Sequence, residues 1–188
     1  MRTVIAFFLC AAAALVPAEA QSVPRPSPAF EIQRVGKPPL PLKAFRGKIV
    51  ALVFIDTNCP HCQELTKNLI PIAREYAPRG VQFLECAFNT GARNGVSGFI
   101  AQFAPPFPVG WSDRAPVMAF LQYSILDPRP MYVPHMVFIG RHGTIRGDFP
   151  GESDFFKSPE ANIRAELNKL LAAHHTTAHT PVRRTAVH

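Results

Sequence analysis

The residues best suited to chemistry are two cysteines spaced three apart, Cys59 and Cys62, which enclose Pro60 and His61. They follow the apolar run Ile49–Ile55, whose β-branched and aromatic residues predict a strand buried on both faces. After them, apolar residues recur at helical spacing. The motif is therefore predicted to lie where a buried strand leads into a helix. The residues of the helical stripe are Leu65, Leu69, Ile72 and Tyr76.

The start of a helix suits thiol chemistry. Pro60 at the first helical position loses no useful hydrogen bond. The unpaired N–H groups and the positive end of the helix dipole stabilise a thiolate on Cys59, and a thiolate is the nucleophile of disulfide exchange. Cys62, one turn later, is placed to resolve a mixed disulfide. His61 adds a donor and, when protonated, a positive charge; its alternative role is that of a polar spacer.

The remaining pattern alternates between strands and helices. A second apolar run at 81–88 makes a parallel strand–helix–strand unit with the first. Residues 98–103 and 115–123 are predicted as short helices. Residues 136–139 and 144–147, joined by a Gly-containing turn, predict a hairpin. A last helix begins at Pro159, with Ser158 as its N-cap. These elements predict an α/β fold in which a mixed sheet lies between helices.

The two ends of the chain are predicted to lie outside this domain. Residues 1–20 have a basic start, a short apolar stretch and a small-residue cleavage site, which indicates a signal peptide and export. An uncleaved membrane anchor is the alternative. The Pro-rich segment 21–34 is predicted to be a flexible leader, 35–173 the domain, and 174–188 a disordered polar tail.

The composition and motifs of the sequence argue against several other functions. The net charge is +7, but Lys and Arg are scattered along the sequence and no aromatic residues are interleaved with a basic run, so we expect no nucleic-acid partner. No second pair of ligands accompanies the Cys-x-x-Cys motif, so we expect no zinc, and no other cofactor. Cys86 lies in a predicted core strand and is expected to be buried and inert, with a third redox cysteine as the alternative.

The motif and its surroundings resemble a known family. Gly47-Lys48, the strand 49–55 and Cys59-Pro60-His61-Cys62 look like the thioredoxin superfamily. The Pro-rich, Leu-Lys-containing lead-in at 38–48 is closest to exported TlpA/ResA-type proteins, whereas the inner Pro-His dipeptide resembles DsbA. The resemblance implies a thioredoxin fold, a thiol–disulfide oxidoreductase of the periplasm or another extracytoplasmic space, protein disulfides or dithiols as substrates, and a separate redox partner.

The same resemblance extends to Val133-Pro134, directly before the strand at 136–139. The superfamily has a cis-proline at this position, opposite the active-site turn, so Pro134 is implied to be that residue. An ordinary trans proline is the alternative. The backbone of Val133 is then implied to pair with a substrate chain. His135 stands where threonine is common, and it is implied to alter substrate contacts.

Some positions depart from the family pattern. The tryptophan common before the first cysteine is Asn58 here, and the buried aspartate found six residues before it in many thioredoxins is Val53. The glutamate common three residues after the second cysteine is Leu65. The group that accepts the proton of Cys62 is therefore not evident. Glu85, in the second strand, is a candidate, with a solvent-facing glutamate as the alternative.

Three functions remain open: a thiol–disulfide oxidoreductase, a peroxidase and a redox-inactive module. The Pro-His dipeptide favours an oxidant, but the overall resemblance leans slightly towards a reductase. A peroxiredoxin-like peroxidase requires threonine and proline three and seven residues before the reactive cysteine, where this sequence has Asp56 and Leu52. The third alternative is a redox-inactive binding or chaperone-like module on the same fold.

Overall fold

The structure is a computed structural model that describes residues 23–124 and 130–177, with backbone alone for the last four. The predicted signal peptide and most of the predicted tail lie outside the described residues. Eight strands and four α-helices are described, together with three short 3₁₀ helices. The strands are β1 Arg25–Pro26, β2 Glu31–Arg34, β3 Lys37–Pro41, β4 Ile49–Ile55, β5 Val81–Ala87, β6 Val109–Trp111, β7 His135–Ile139 and β8 Thr144–Phe149. The helices are α1 Pro60–Tyr76, α2 Ala92–Phe103, α3 Arg114–Phe120 and α4 Pro159–Thr177.

The strands form one mixed sheet in the order β1-β8-β7-β4-β5-β6-β2-β3. The central strand β4 pairs in parallel with β5 and antiparallel with β7, and β7 and β8 form the predicted hairpin. Helices flank this sheet, which confirms the predicted α/β class and the thioredoxin fold. The site motif follows β4, which has pairing partners on both sides.

Two apolar cores cover the two faces of the sheet. All seven residues of β4 are buried, as the uninterrupted apolar run predicts. Ala51, Val53 and Ile55 point into a core shared with α1 and α4. Leu52 and Phe54 point into the other core, which contains Phe120 of α3. Since β4 is buried on both faces, the loop that follows it starts from a rigid position.

The leader predicted as flexible is part of the sheet. Arg25 and Pro26 pair with β8 at one edge, and β2 pairs with β6 towards the other. Phe30 is 6% exposed and Ile32 is fully buried, so the segment contributes side chains to the second core. Proline is compatible with an edge strand because an edge leaves N–H positions unpaired. Pro26, one of the prolines that suggested flexibility in the sequence, therefore occupies an edge-strand position.

The last helix begins at Pro159, as predicted, and continues to Thr177, four residues beyond the predicted end of the domain. Ile163, Leu167 and Leu171 on its inner face are buried against α1 and the sheet. Within the described residues, no helix is both long enough and apolar enough to span a membrane.

Candidate active site

The loop between β4 and α1 is held by hydrogen bonds on both sides of the first cysteine. The Asp56 carboxylate accepts the Asn58 N–H at 2.7 Å, and the Asp56 carbonyl accepts the Cys59 N–H at 3.1 Å. The side chain of Gln63 donates to the Thr57 carbonyl at 2.9 Å, and Asn89 accepts the Thr57 N–H at 3.1 Å. The cysteine motif therefore sits on a braced turn.

Cys59 is the N-cap residue of α1 and Pro60 is its first helical residue, as predicted. Pro60 and His61 are exposed, Cys59 is half-buried and Cys62 is fully buried. Both cysteines are free thiols in this structure. Only one of the two sulfurs is thus open to an incoming disulfide, and it is the one at the positive end of the helix.

The buried cysteine holds its proton tightly. Burial raises the pKa of Cys62 well above its usual range, a hydrogen bond from the Asp56 backbone opposes the shift, and the nearby Cys59 raises the pKa further. Cys59 packs against the apolar core that contains Cys62. The arrangement supplies an accessible sulfur and, beside it, a thiol that must lose its proton before it can react.

The Val133–Pro134 peptide bond is cis. A groove runs beside the cysteine motif, and His61 and Leu65 of α1 lie on one of its sides. Val133 and Pro134 lie on another side, and Phe156 also lines the groove. Val133 and Cys59 both pack against the α1-side core. The structure therefore brings Pro134 and Val133 to the same groove as His61 of the cysteine motif.

His135 does not belong to this groove, which corrects its implied role in substrate contact. Its side chain is fully buried and makes a ring contact with Tyr123 on the opposite face of the sheet. Side chains alternate between faces along a strand, so the residue after Pro134 points away from α1.

His135 instead belongs to a buried polar network that the sequence pattern missed. Its Nε2 lies 2.6 Å from one carboxylate oxygen of Asp148, and Arg25 Nη2 donates to the other at 2.6 Å. Arg25 Nη1 also donates to the Phe120 carbonyl at 3.4 Å. Asp148 and Arg25 were overlooked because they are 123 positions apart in sequence. We call Arg25, Asp148 and His135 the buried triad.

Glu85 is fully buried, which excludes the solvent-facing alternative. It lies beside Val53 in the β4–β5 register, on the face of the sheet that α1 covers. Burial raises its pKa to about 8, partly offset by a hydrogen bond with Thr66. The Thr66 hydroxyl lies 2.8 Å from Glu85 Oε1 and 3.0 Å from the Cys62 carbonyl oxygen. Thr66 was missed, although its place one turn after Cys62 could have drawn attention to it.

Cys86 is buried in the second core, on the face opposite Cys62. Burial raises the pKa of its thiol. The sheet separates it from the cysteine motif, so it cannot join their exchange without unfolding. No group of His, Cys, Asp and Glu among the described residues has the arrangement of a metal site.

The sequence profile of the AhpC/TSA family matches residues 23–147, which make up about two thirds of the chain. The chain belongs to the AhpC/TSA family. The match begins at the leader, in agreement with the strands found there. No protein with a curated description matches the sequence.

Several solved structures have a fold similar to that of this AhpC/TSA chain. A thiol:disulfide interchange protein of the thioredoxin family from Chlorobium tepidum superposes with a TM-score of 0.65 at 22% identity, covering 81% of this chain and 99% of its own. A thiol:disulfide interchange protein from a Bacteroides species gives 0.62 at 15% identity, covering 80% and 91%. The thioredoxin domain of a thiol-disulfide oxidoreductase from Bacteroides vulgatus gives 0.59 at 16%, covering 76% and 98%. These likenesses establish a shared fold.

Proposed function

We propose that the protein is an extracytoplasmic thiol–disulfide oxidoreductase that exchanges disulfides with exported proteins through Cys59 and Cys62. The observation that carries the proposal is a half-buried cysteine at the start of a helix, packed against the core that contains a fully buried cysteine one helical turn later. The cis-proline on the adjoining groove supports it, because a substrate chain lying there can pair with the Val133 backbone.

The exchange takes two steps. The Cys59 thiolate attacks one sulfur of a substrate disulfide, forms a mixed disulfide and releases the other substrate sulfur as a thiolate. Cys62 then loses its proton and attacks the Cys59 sulfur, which forms the Cys59–Cys62 disulfide and releases the reduced substrate. Two electrons pass from the protein to the substrate. The same steps in reverse oxidise a dithiol, and the slight lean towards reduction rests on the lead-in at 38–48.

The second step needs a group that takes the proton of Cys62, and we propose Glu85. The carboxylate lies on the same face of the sheet and is linked through Thr66 to the helical turn that carries Cys62. The Thr66 hydroxyl has one proton and two acceptors within reach. A protonated Glu85 can donate to Thr66, which leaves the Thr66 proton for the Cys62 carbonyl. An ionised Glu85 instead draws the Thr66 proton to itself. The charge of Glu85 is thereby coupled to the helix that carries Cys62.

Replacing Glu85 with glutamine should slow resolution of the mixed disulfide by roughly 10²-fold, the usual size of a lost proton acceptor. The wild-type rate should also show an inflection near pH 8, the pKa of Glu85, which the variant lacks. Stopped-flow mixing of the reduced protein with a model disulfide across this pH range measures both. Glu75→Gln is the control, since Glu75 is exposed on the same helix and does not line the groove. Equal rates in the two variants would remove Glu85 from the mechanism.

Glu85 also makes stability depend on pH. Its pKa is higher in the folded state than in the unfolded chain, so the folded state holds an extra proton between about pH 4.5 and 8. The contribution of Glu85 to the free energy of unfolding is complete below about pH 4.5. It is lost as pH rises to about 8, by up to about 1.4 kcal/mol per pH unit. Urea unfolding should show this decline in the wild type and a flatter profile in Glu85→Gln. A decline of equal slope in both would assign it to other groups.

The proposed function is tested by insulin reduction with the reduced full-length protein, and by the reduction potential of its cysteine pair against glutathione. We expect insulin to precipitate in step with oxidation of the protein, and little consumption of hydrogen peroxide. Peroxide consumption without insulin reduction would favour a peroxidase, the alternative that membership of the AhpC/TSA family keeps open. Failure of both assays, together with retained binding of a partner, would favour the redox-inactive module.

A further inference from the structure

Four basic residues, three of them within residues 43–48 and the fourth at position 141, come together at one end of the folded domain. Lys43, Arg46, Lys48 and Arg141 line one pocket, and among the described residues no carboxylate lines it with them. Leu42, Val50 and Ile139 lie at its base and are each at most 9% exposed. We call this the basic pocket. Although basic residues are scattered over the sequence as a whole, four of them are therefore clustered at the end of the domain that carries the basic pocket.

The charges of the basic pocket are not neutralised by the described part of the protein. The two arginines are braced by neutral backbone carbonyls: Arg46 donates to the His142 carbonyl, and Arg141 donates to the Gly47 carbonyl at 2.7 Å. Arg141 Nε is buried and has no acceptor among the described residues. Lys43 and Lys48 are exposed, and no ion pair is described for any of the four. Four cations around an apolar base suit an oxyanion that carries an apolar portion.

The basic pocket lies at the end of the domain opposite the cysteine motif. Lys48 immediately precedes β4, whereas Cys59 follows the other end of that strand. Seven residues of strand separate the two ends by roughly 20 Å. A ligand in the basic pocket therefore leaves the groove beside Cys59 open.

We propose that the basic pocket binds the phosphate headgroup of an anionic phospholipid, so that the domain rests on a membrane surface with Cys59 facing away from it. Charge complementarity carries this proposal, together with the apolar base, which can accept the glycerol and first methylenes of a lipid.

The test is sedimentation of the full-length protein with two kinds of vesicle. One contains phosphatidylcholine alone, and in the other a third of the lipid is phosphatidylglycerol. Binding to the neutral vesicles measures the part of the affinity that does not depend on anionic lipid. We expect phosphatidylglycerol to add to it, and the double variant K43E/K48E to lose at least about tenfold of the added affinity. One basic residue near an anionic surface contributes roughly fivefold.

The matched control is K37E/K169E, which changes the net charge equally at two exposed lysines outside the basic pocket. It should keep most of the added affinity. Equal loss in both double variants would reduce the effect to net charge and overturn the proposal, as would the absence of any gain with phosphatidylglycerol. Binding of inorganic phosphate without binding of the phosphatidylglycerol vesicles would assign the pocket to free phosphate, and binding of a polyglutamate peptide without vesicle binding would assign it to acidic protein segments. Either result overturns the membrane assignment.

Insulin reduction separates this proposal from the proposed function. Lys43 and Lys48 are remote from the cysteine motif, so K43E/K48E should retain wild-type activity in solution. If the wild type itself fails to reduce insulin, the proposed function fails while the vesicle result still decides the role of the basic pocket.

Discussion

Replacing Cys59 with serine should abolish insulin reduction, with a loss of at least roughly 10³-fold, because a serine hydroxyl is not ionised at neutral pH and cannot attack a disulfide. Cys62→Ser should fail differently. Its Cys59 can still attack, but nothing resolves the product, so a mixed disulfide accumulates. Non-reducing electrophoresis and mass spectrometry after exposure to a disulfide-bonded substrate measure the trapped species.

Cys86→Ala is the control for both variants. Cys86 is buried on the other face of the sheet, and its replacement should leave reduction of insulin unchanged. Trapping by Cys59→Ser rather than by Cys62→Ser would reverse the assigned roles. Equal loss in both without any trapped species would contradict the two-step exchange.

Removing Asp148 should destabilise the folded state by about 3–5 kcal/mol, the usual cost of leaving a buried charge without its partner. Asp148→Ala takes the acceptor from both other members of the buried triad. Arg25 is 8% exposed and would keep only the Phe120 carbonyl, and its Nε already has no partner. His135 is fully buried and would lose the contact of its Nε2. Guanidinium unfolding at neutral pH measures the loss.

Asp154→Ala provides the comparison. Asp154 pairs with Lys157 at 2.8 Å, but its side chain is 84% exposed, so solvent screens the pair and its removal should change little. If the two variants lose equal stability, the buried triad contributes nothing beyond an ordinary surface pair. The combined variant Arg25→Met with Asp148→Leu removes the charges together, and it should recover much of the loss.

The parts of the fold that follow from local pattern were predicted correctly. The run Ile49–Ile55 is buried on both faces, and the helix after it begins at Pro60, because an apolar run and a first-turn proline act within a few residues. The helix beginning at Pro159 was predicted for the same reason. The placement of Cys62 one helical turn after Cys59 also follows from this local geometry.

What the sequence did not reveal depends on residues that are far apart. The leader was predicted to be flexible from its prolines, yet the ion pair of Arg25 with Asp148 and the burial of Phe30 hold it to the sheet. Local composition cannot indicate a contact with a residue more than a hundred positions away in the sequence. The basic pocket escaped notice for the same reason, because Arg141 reaches Lys43 and Lys48 only through folding. The orientation of His135 required the pairing of β7, which its own sequence does not specify.

The two strands of the former leader also determine how the domain can be shortened. A chain beginning at residue 35 would lack β1 and β2, which leaves unpaired backbone on β8 and β6 and exposes the surface that Ile32 covers. Unpaired strands of this kind recruit strands from neighbouring molecules, so such a truncated protein would tend to aggregate. The smallest soluble unit of this protein therefore has to begin before Arg25.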